Sequence, residues 1–258
     1  MRRVSWLVSA ALILTGSPAA ATSMDNLLLA LKRARALAAR GHVEVTVNFP
    51  PQASPARRAA QLPAVPFRPA LIARNFTVSR AVPESVADRA VTRYDLTPHN
   101  ATAGHWTLWV DSAWNVPLAF EERLADGTLA RRASFTKVNP TPAKVTRPVP
   151  ALPAGLRGAL MRALPGLRLP PGFVPVDVQR QDLRWTVTLS DGLNVLALVA
   201  APRGVQVAPG VASRKVGVQW LWLVGTLPQS ALHEALSRVQ QVNPETLGTF
   251  VTPADSNP

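Results

Sequence analysis

Cysteine is absent from all 258 residues. That excludes disulfides, thiolate metal sites, a cysteine nucleophile and a lipid-modified N-terminal cysteine together. Charge is sparse as well: 17 % of the chain is Asp, Glu, Lys or Arg, against roughly 25 % in ordinary soluble domains. Acids are the scarcest part, 15 against 28 basic residues. Catalytic signatures are missing too. His233-Glu234 begins like a zinc-protease helix, but Ser237 stands where the second histidine belongs. The other histidines (His42, His99 and His105) show no metal-ligand spacing. No serine sits in a nucleophile elbow, and no glycine-rich loop is built to cradle phosphate. Asp111, Asp191 and Glu234 read as isolated turn or surface acids. The chain is therefore read as a non-enzyme with no catalytic residue, no metal and no cofactor.

What is present points to a folded chain. Hydrophobic residues at 47 % suffice for a core, which argues against disorder over the whole length. The 25 prolines, about twice the usual share, argue against long helical bundles and for strands joined by stiff loops.

Residues 1–21 have the three parts of a secretory signal peptide: Met1-Arg2-Arg3, an apolar stretch from Val4 to Leu14, and Ala19-Ala20-Ala21. The apolar part is about half the ~20 residues that span a bilayer as a helix. The expected product is an exported, soluble, periplasmic protein. Cleavage after Ala21 leaves 26 basic against 15 acidic residues, a net charge of +11. Outside the cytoplasm the abundant polyanions are lipid head groups, glycolipids and acidic polymers, so no nucleic-acid partner is expected.

Along the chain, Asp25–Arg40 reads as a helix, with Leu27, Leu28, Leu31, Ala34 and Ala38 at helical spacing. His42–Phe49 alternates as a half-buried strand, Pro50–Pro69 reads as a long proline-broken loop, and Leu71–Arg80, Val86–Leu96 and His105–Asp111 as further strands. Asp126-Gly127 marks a two-residue turn in a hairpin from Val116 to Val138. That turn sets Leu124 opposite Leu129, Glu122 opposite Arg131 and Glu121 opposite Arg132. Asn139–Pro153 is a stiff proline linker, and Gly155–Leu164 a short helix. Beyond it, Leu183, Trp185, Val187 and Leu189 alternate up to an Asp191-Gly192 turn, followed by a return strand from Leu193 to Ala201. Val216–Gly225, apolar on both faces, reads as a central strand, and Ser230–Val242 as a closing helix. Asn75-Phe76-Thr77 and Asn100-Ala101-Thr102 match the weak glycosylation-acceptor pattern. The fold class is α+β, with no βαβ rhythm.

Trp106 and Trp109 differ by an odd number of positions and so lie on opposite faces of one strand. Together with Leu118, Phe120 and Phe135 they are the candidate ligand-binding residues of an apolar hollow in a curved antiparallel sheet.

Two stretches resemble a known family. Trp106-Thr107-Leu108-Trp109-Val110-Asp111, then Val116-Pro117-Leu118 and Asp126-Gly127, is similar to the first-domain hairpin of the MucB/RseB family of sigma-E regulatory proteins. Leu169-Pro170-Pro171-Gly172-Phe173, Ser190-Asp191-Gly192-Leu193 and Val224-Gly225 through Pro228 follow in that family's order. Leu189 stands where the family usually has an aromatic residue. The resemblance implies an open half-barrel domain with a packed helix, LolA-like, over residues 24–139. A proline-rich linker over 140–165 and a smaller α+β domain over 166–250 would follow. It also implies a role in envelope stress response: binding the external part of a membrane-spanning anti-sigma factor, and sensing a lipid or glycolipid amphiphile. Two other readings remain at this point, a periplasmic lipid or lipoprotein carrier and a polyanion- or cell-wall-binding module. Oligomeric state stays open, self-association as a homo-oligomer included.

Overall fold

A computed structural model describes residues 22–51, 54, 56–65, 67–148, 151–204 and 208–251. The expected leader lies outside these residues. The chain opens with α1 (Ser23–Arg33), whose N-cap is Thr22. The Asp25 carboxylate accepts from the Thr22 N–H at 3.1 Å while the Thr22 hydroxyl accepts from the Asp25 N–H at 3.2 Å. This reciprocal capping box fixes the start of the helix. The helix ends seven residues before the Arg40 that periodicity suggested. Its expected C-terminal turns are diverted instead into β1 (Leu37–Ala38).

Next come β2 (Gly41–Val47), β3 (Ala56–Ala59), α2 (Pro69–Asn75), β4 (Phe76–Val86), β5 (Arg89–Pro98), β6 (His105–Asp111), β7 (Pro117–Arg123) and β8 (Leu129–Val138). β9 (Ala143–Lys144) lies in the proline-rich stretch and pairs with β1. Strands β2 to β8 form one open antiparallel sheet in the order β3-β2-β8-β7-β6-β5-β4. Two expectations are corrected here. Residues 56–59 pair at the sheet edge although prolines surround them, because none of the four is a proline and each keeps its N–H. Leu71–Asn75 is helical rather than extended, since Pro69 at the first helical turn presets φ and its missing N–H loses nothing there.

The β7–β8 turn is also longer than two residues. Gly127 takes φ +85°, the Asp126 carboxylate accepts from the Thr128 N–H at 2.8 Å, and Leu124 N–H donates to the Thr128 carbonyl at 2.8 Å. Arg123, not Leu124, therefore faces Leu129 across a bulge, while Glu122 still faces Arg131 and Glu121 still faces Arg132. A three-residue loop with a left-handed glycine produces such a bulge. Glu121 turns away from its cross-strand arginine and pairs with Arg123 at 2.6 Å.

After α3 (Leu156–Ala163) come β10 (Val174–Gln181), β11 (Arg184–Ser190), β12 (Val195–Ala201), β13 (Val211–Val216) and β14 (Gln219–Val224). These five make a second antiparallel sheet in the order β10-β11-β12-β14-β13, so β14 has a neighbour on each side. Strands β10 and β13 escape the sequence pattern. β10 carries Pro175 and a register break beside it, and β13 has three consecutive polar residues, Ser213 to Lys215, at its middle. α4 (Gln229–Leu236) stops six residues short of Val242, where Ser237 turns its hydroxyl back to the Glu234 carbonyl. A 3-10 segment, Pro244–Phe250, closes the described chain. The fold is α+β with open sheets; among the described residues no barrel closes.

Two apolar cores result. In the first, Leu27, Ala30 and Leu31 of α1 pack with Val43, Val45, Phe76, Trp106, Leu108 and Leu118 of the seven-stranded sheet. In the second, α3, α4 and the 3-10 segment cover one face of the five-stranded sheet through Leu156, Leu160, Leu232, Leu236 and Leu247. A buried ion pair borders the first core. Glu122 is 2 % exposed, on the same face of β7 as Leu118 and Phe120, and is met by Arg131. The Arg131 guanidinium lies 5.1 Å from the Trp106 ring and 5.8 Å from Phe120, so stacking and the carboxylate share one cation.

Arg131→Met leaves the buried Glu122 carboxylate without its partner and is expected to lower unfolding free energy by about 2–3 kcal/mol. Combining it with Glu122→Gln is expected to restore most of that loss. Denaturant titration of the three chains measures both.

Candidate functional site

The site begins with a turn. Ser190–Asn194 leaves the five-stranded sheet and drives into the core of the seven-stranded one. The Asp191 carboxylate accepts from the Leu193 and Asn194 N–H groups at 3.0 and 2.8 Å, and from Asn194 Nδ2 at 2.8 Å. Burial pushes the Asp191 carboxyl up from its ordinary value, against the pull of these donors. Gly192 takes φ +120°, and a Cβ there would stand 2.7 Å from the Ile72 nitrogen, so the backbones meet only because glycine is present. Leu193 is wholly buried among the first-core residues.

Asn194 ties the two sheets with polar contacts. Its Oδ1 accepts from the Trp106 indole N–H at 2.9 Å, and its Nδ2 donates to the Gly104 carbonyl at 3.3 Å. Asn75 donates to the Gly172 and Asp191 carbonyls at 3.0 and 2.7 Å, and Asn100 to the Pro171 carbonyl at 3.2 Å. Both asparagines that match the glycosylation pattern are thus junction residues.

Beside this junction the first sheet holds a hollow of about 410 Å³. α1 and the segment after it (Leu31, Leu37, Ala38, Ala39) wall one side, Leu62–Val65 and Phe67 another, and Val116, Pro117, Phe120 and Phe135 the floor. Arg35, Arg68 and Arg147 also line it. Burial lowers the Arg68 guanidinium from its ordinary value, and the Asp177 carboxylate of β10 opposes that. An apolar chamber with three guanidinium groups suits an acyl chain with an anionic head, and its volume lies within the roughly 300–1,000 Å³ of small-ligand sites. A second cleft, about 380 Å³, lies between the sheets; Phe120, Glu122 and Arg131 meet Val195, Ala197 and Val224 there.

Of the five residues expected at a hollow, Phe120 and Phe135 line the first chamber. Leu118 is packed in the surrounding core, and Trp106 is held by Asn194. Trp109 lies on the other face of β6, where its indole N–H donates to Glu84 at 2.7 Å under the Arg93 guanidinium. Sequence reading did not single out these arginines or the wall of Leu62–Val65 and Phe67: Arg35 lay in a stretch read as helix, and the others come from segments without periodicity. Asp111 is engaged by Arg89 at 2.6 Å and by the Ala113 and Trp114 N–H groups at 3.0 and 2.6 Å. Among the described residues no group of three or more His, Asp or Glu could hold a metal ion, and no helix is long and apolar enough to cross a membrane.

No family model and no curated protein matches the chain. Solved structures do. A crystal structure of MucB superposes with a TM-score of 0.58 at 18 % identity, over 86 % of this chain and 99 % of that one. The fold is that of MucB. The Pseudomonas aeruginosa MucA/MucB complex gives a TM-score of 0.57 at 17 % identity, over 84 % and 99 % of the two chains. MucB in complex with MucA(peri) gives 0.57 at 16 %, over 83 % and 97 %. Since nearly the whole MucB chain is covered, the MucB-like fold here includes both sheets and not the half-barrel alone.

Asn194→Ala removes partners from the Trp106 indole, the Gly104 carbonyl and Asp191 in one step. It is expected to destabilise the MucB-like fold by about 2 kcal/mol and to speed proteolytic cleavage in the stretch that precedes α3. Denaturant unfolding and limited proteolysis read the two effects.

Proposed function

We propose that this chain is a non-enzymatic periplasmic regulator that binds the external segment of a membrane-spanning anti-sigma factor and senses an envelope amphiphile in its hollow. The observation that carries the partner half is full-length likeness to MucB, two of whose solved structures are complexes with MucA. The amphiphile half rests on the hollow itself, apolar in its walls and lined by Arg35, Arg68 and Arg147. Residues 24–139 and 166–250 are read as two domains joined by 140–165, with α3 at the end of that stretch packing Leu156 and Leu160 into the second core. Signal-peptide cleavage after Ala21 would place both outside the cytoplasm.

A carrier of lipids or lipoproteins is the alternative that one observation favours: apart from Arg147 and Pro148, the residues that line the hollow all lie within 24–139. The second sheet, bound tightly at Asn194, speaks for the regulator.

The purified protein is expected to capture the external segment of a single-span membrane protein encoded beside a sigma-factor gene, at physiological salt. Lack of capture in a pull-down sinks the partner half. Ala64 is exposed at the wall of the hollow, so Ala64→Trp should plug it without unfolding the chain. It is expected to weaken binding of dansylated undecanoic acid by about tenfold, equal to 1.4 kcal/mol, with the thermal midpoint unchanged. A wild-type chain that gives no dansyl fluorescence change sinks the amphiphile half and leaves the partner half standing.

A further inference from the structure

A second groove runs along the outer side of α1, outside the hollow and outside the junction. Its volume is about 580 Å³, bounded by Leu28, Leu29 and Lys32 of α1, by Ala70 at the start of α2, and by Leu152. The helix buries Leu27, Ala30 and Leu31 inward, yet Leu29 is 58 % exposed and Leu152 45 % exposed beside it. Two large apolar side chains left open in one groove exceed the scatter of single exposed leucines on ordinary surfaces. The groove's polar lining is cationic throughout: Lys32, Arg35 and Arg68, with no carboxylate among the described residues that form it.

We infer that this groove is a membrane-docking face that seats on an anionic phospholipid bilayer. Leu29 and Leu152 enter at the boundary between head groups and acyl chains, and Lys32 and Arg35 meet the phosphates. Three observations favour a bilayer over a peptide. A peptide strand brings backbone N–H groups that need acceptors, and every side chain lining the groove is either apolar or a cation. Acyl chains need no such partner. The chain's excess of basic over acidic residues, 28 against 15, is complementary to an anionic surface. Arg35 and Arg68 line both the groove and the hollow, so a bilayer seated here would present its head groups at the chamber's cationic side. The inference stands whether or not the hollow takes an amphiphile, because Leu29, Lys32 and Leu152 do not line the hollow.

The test is sedimentation of the exported, purified protein with vesicles of phosphatidylglycerol and phosphatidylethanolamine, and with vesicles of phosphatidylcholine alone. The wild-type chain is expected to sediment with the anionic vesicles and not with the neutral ones. Leu29→Gln combined with Leu152→Gln is expected to weaken that binding by about tenfold, with dansylated undecanoic acid binding and the thermal midpoint unchanged. Lys32→Glu, exposed on the same side of the helix, provides a second arm should the double variant fail to fold. Equal sedimentation with neutral vesicles, or anionic binding unaltered in both variants, overturns the inference. Loss of anti-sigma capture in these variants with vesicle binding intact also overturns it, by showing that a protein occupies the groove.

Discussion

At the centre of the junction between the two sheets is one buried polar side chain. Asn194 accepts from Trp106 and donates to Gly104 and Asp191, so the last residue of a turn in one sheet completes the hydrogen bonding of the other. A buried amide, indole or carbonyl left unpaired costs far more than the net worth of a single hydrogen bond, so this arrangement tolerates little displacement. Leu193 adds apolar burial from the same turn, and Gly192 permits backbone contact with Ile72. Away from that junction a cleft lies between the sheets.

Arginine does several kinds of work here. Arg131 neutralises Glu122 while stacking on two rings; Arg89 does the same for Asp111 while lying 3.6 Å from the Trp114 ring centroid. A planar guanidinium can serve a carboxylate with its edge and an aromatic ring with its face, which lysine cannot. Where no carboxylate lines the wall, as at Arg35 and Arg147 in the hollow, the same side chain makes an apolar chamber receptive to anions. Some of the basic residues thus pair with buried acids and others line the hollow.

Much of the fold was legible because strand periodicity and turn chemistry are local. His105–Asp111 matches its strand end for end, and Glu122 faces Arg131 as the hairpin pattern required. What failed did so where tertiary pairing overrode local preference. The tail of the first predicted helix became β1 because residues 143–144 were there to pair with it. Four residues within a proline-rich stretch became β3 because β2 presented an open edge. The candidate site was legible only in part, since Phe120 and Phe135 are aromatics on two patterned strands, while Arg68 and Arg147 come from unpatterned segments and Arg35 from a stretch that periodicity read as helix.

Composition and periodicity determined by themselves that this is an α+β chain with no cysteine chemistry, an alternating hairpin at its centre and a tight Asp191-Gly192 turn. They could not say where that turn goes. Only the packed structure sent it into the opposing sheet, and only packing made Trp106 a junction residue rather than a lining one. The physical reason is range: hydrogen bonding within a strand or turn is set by neighbours in sequence. The partner of a buried side chain such as Asn194, 88 residues from Trp106, is set by which surfaces meet.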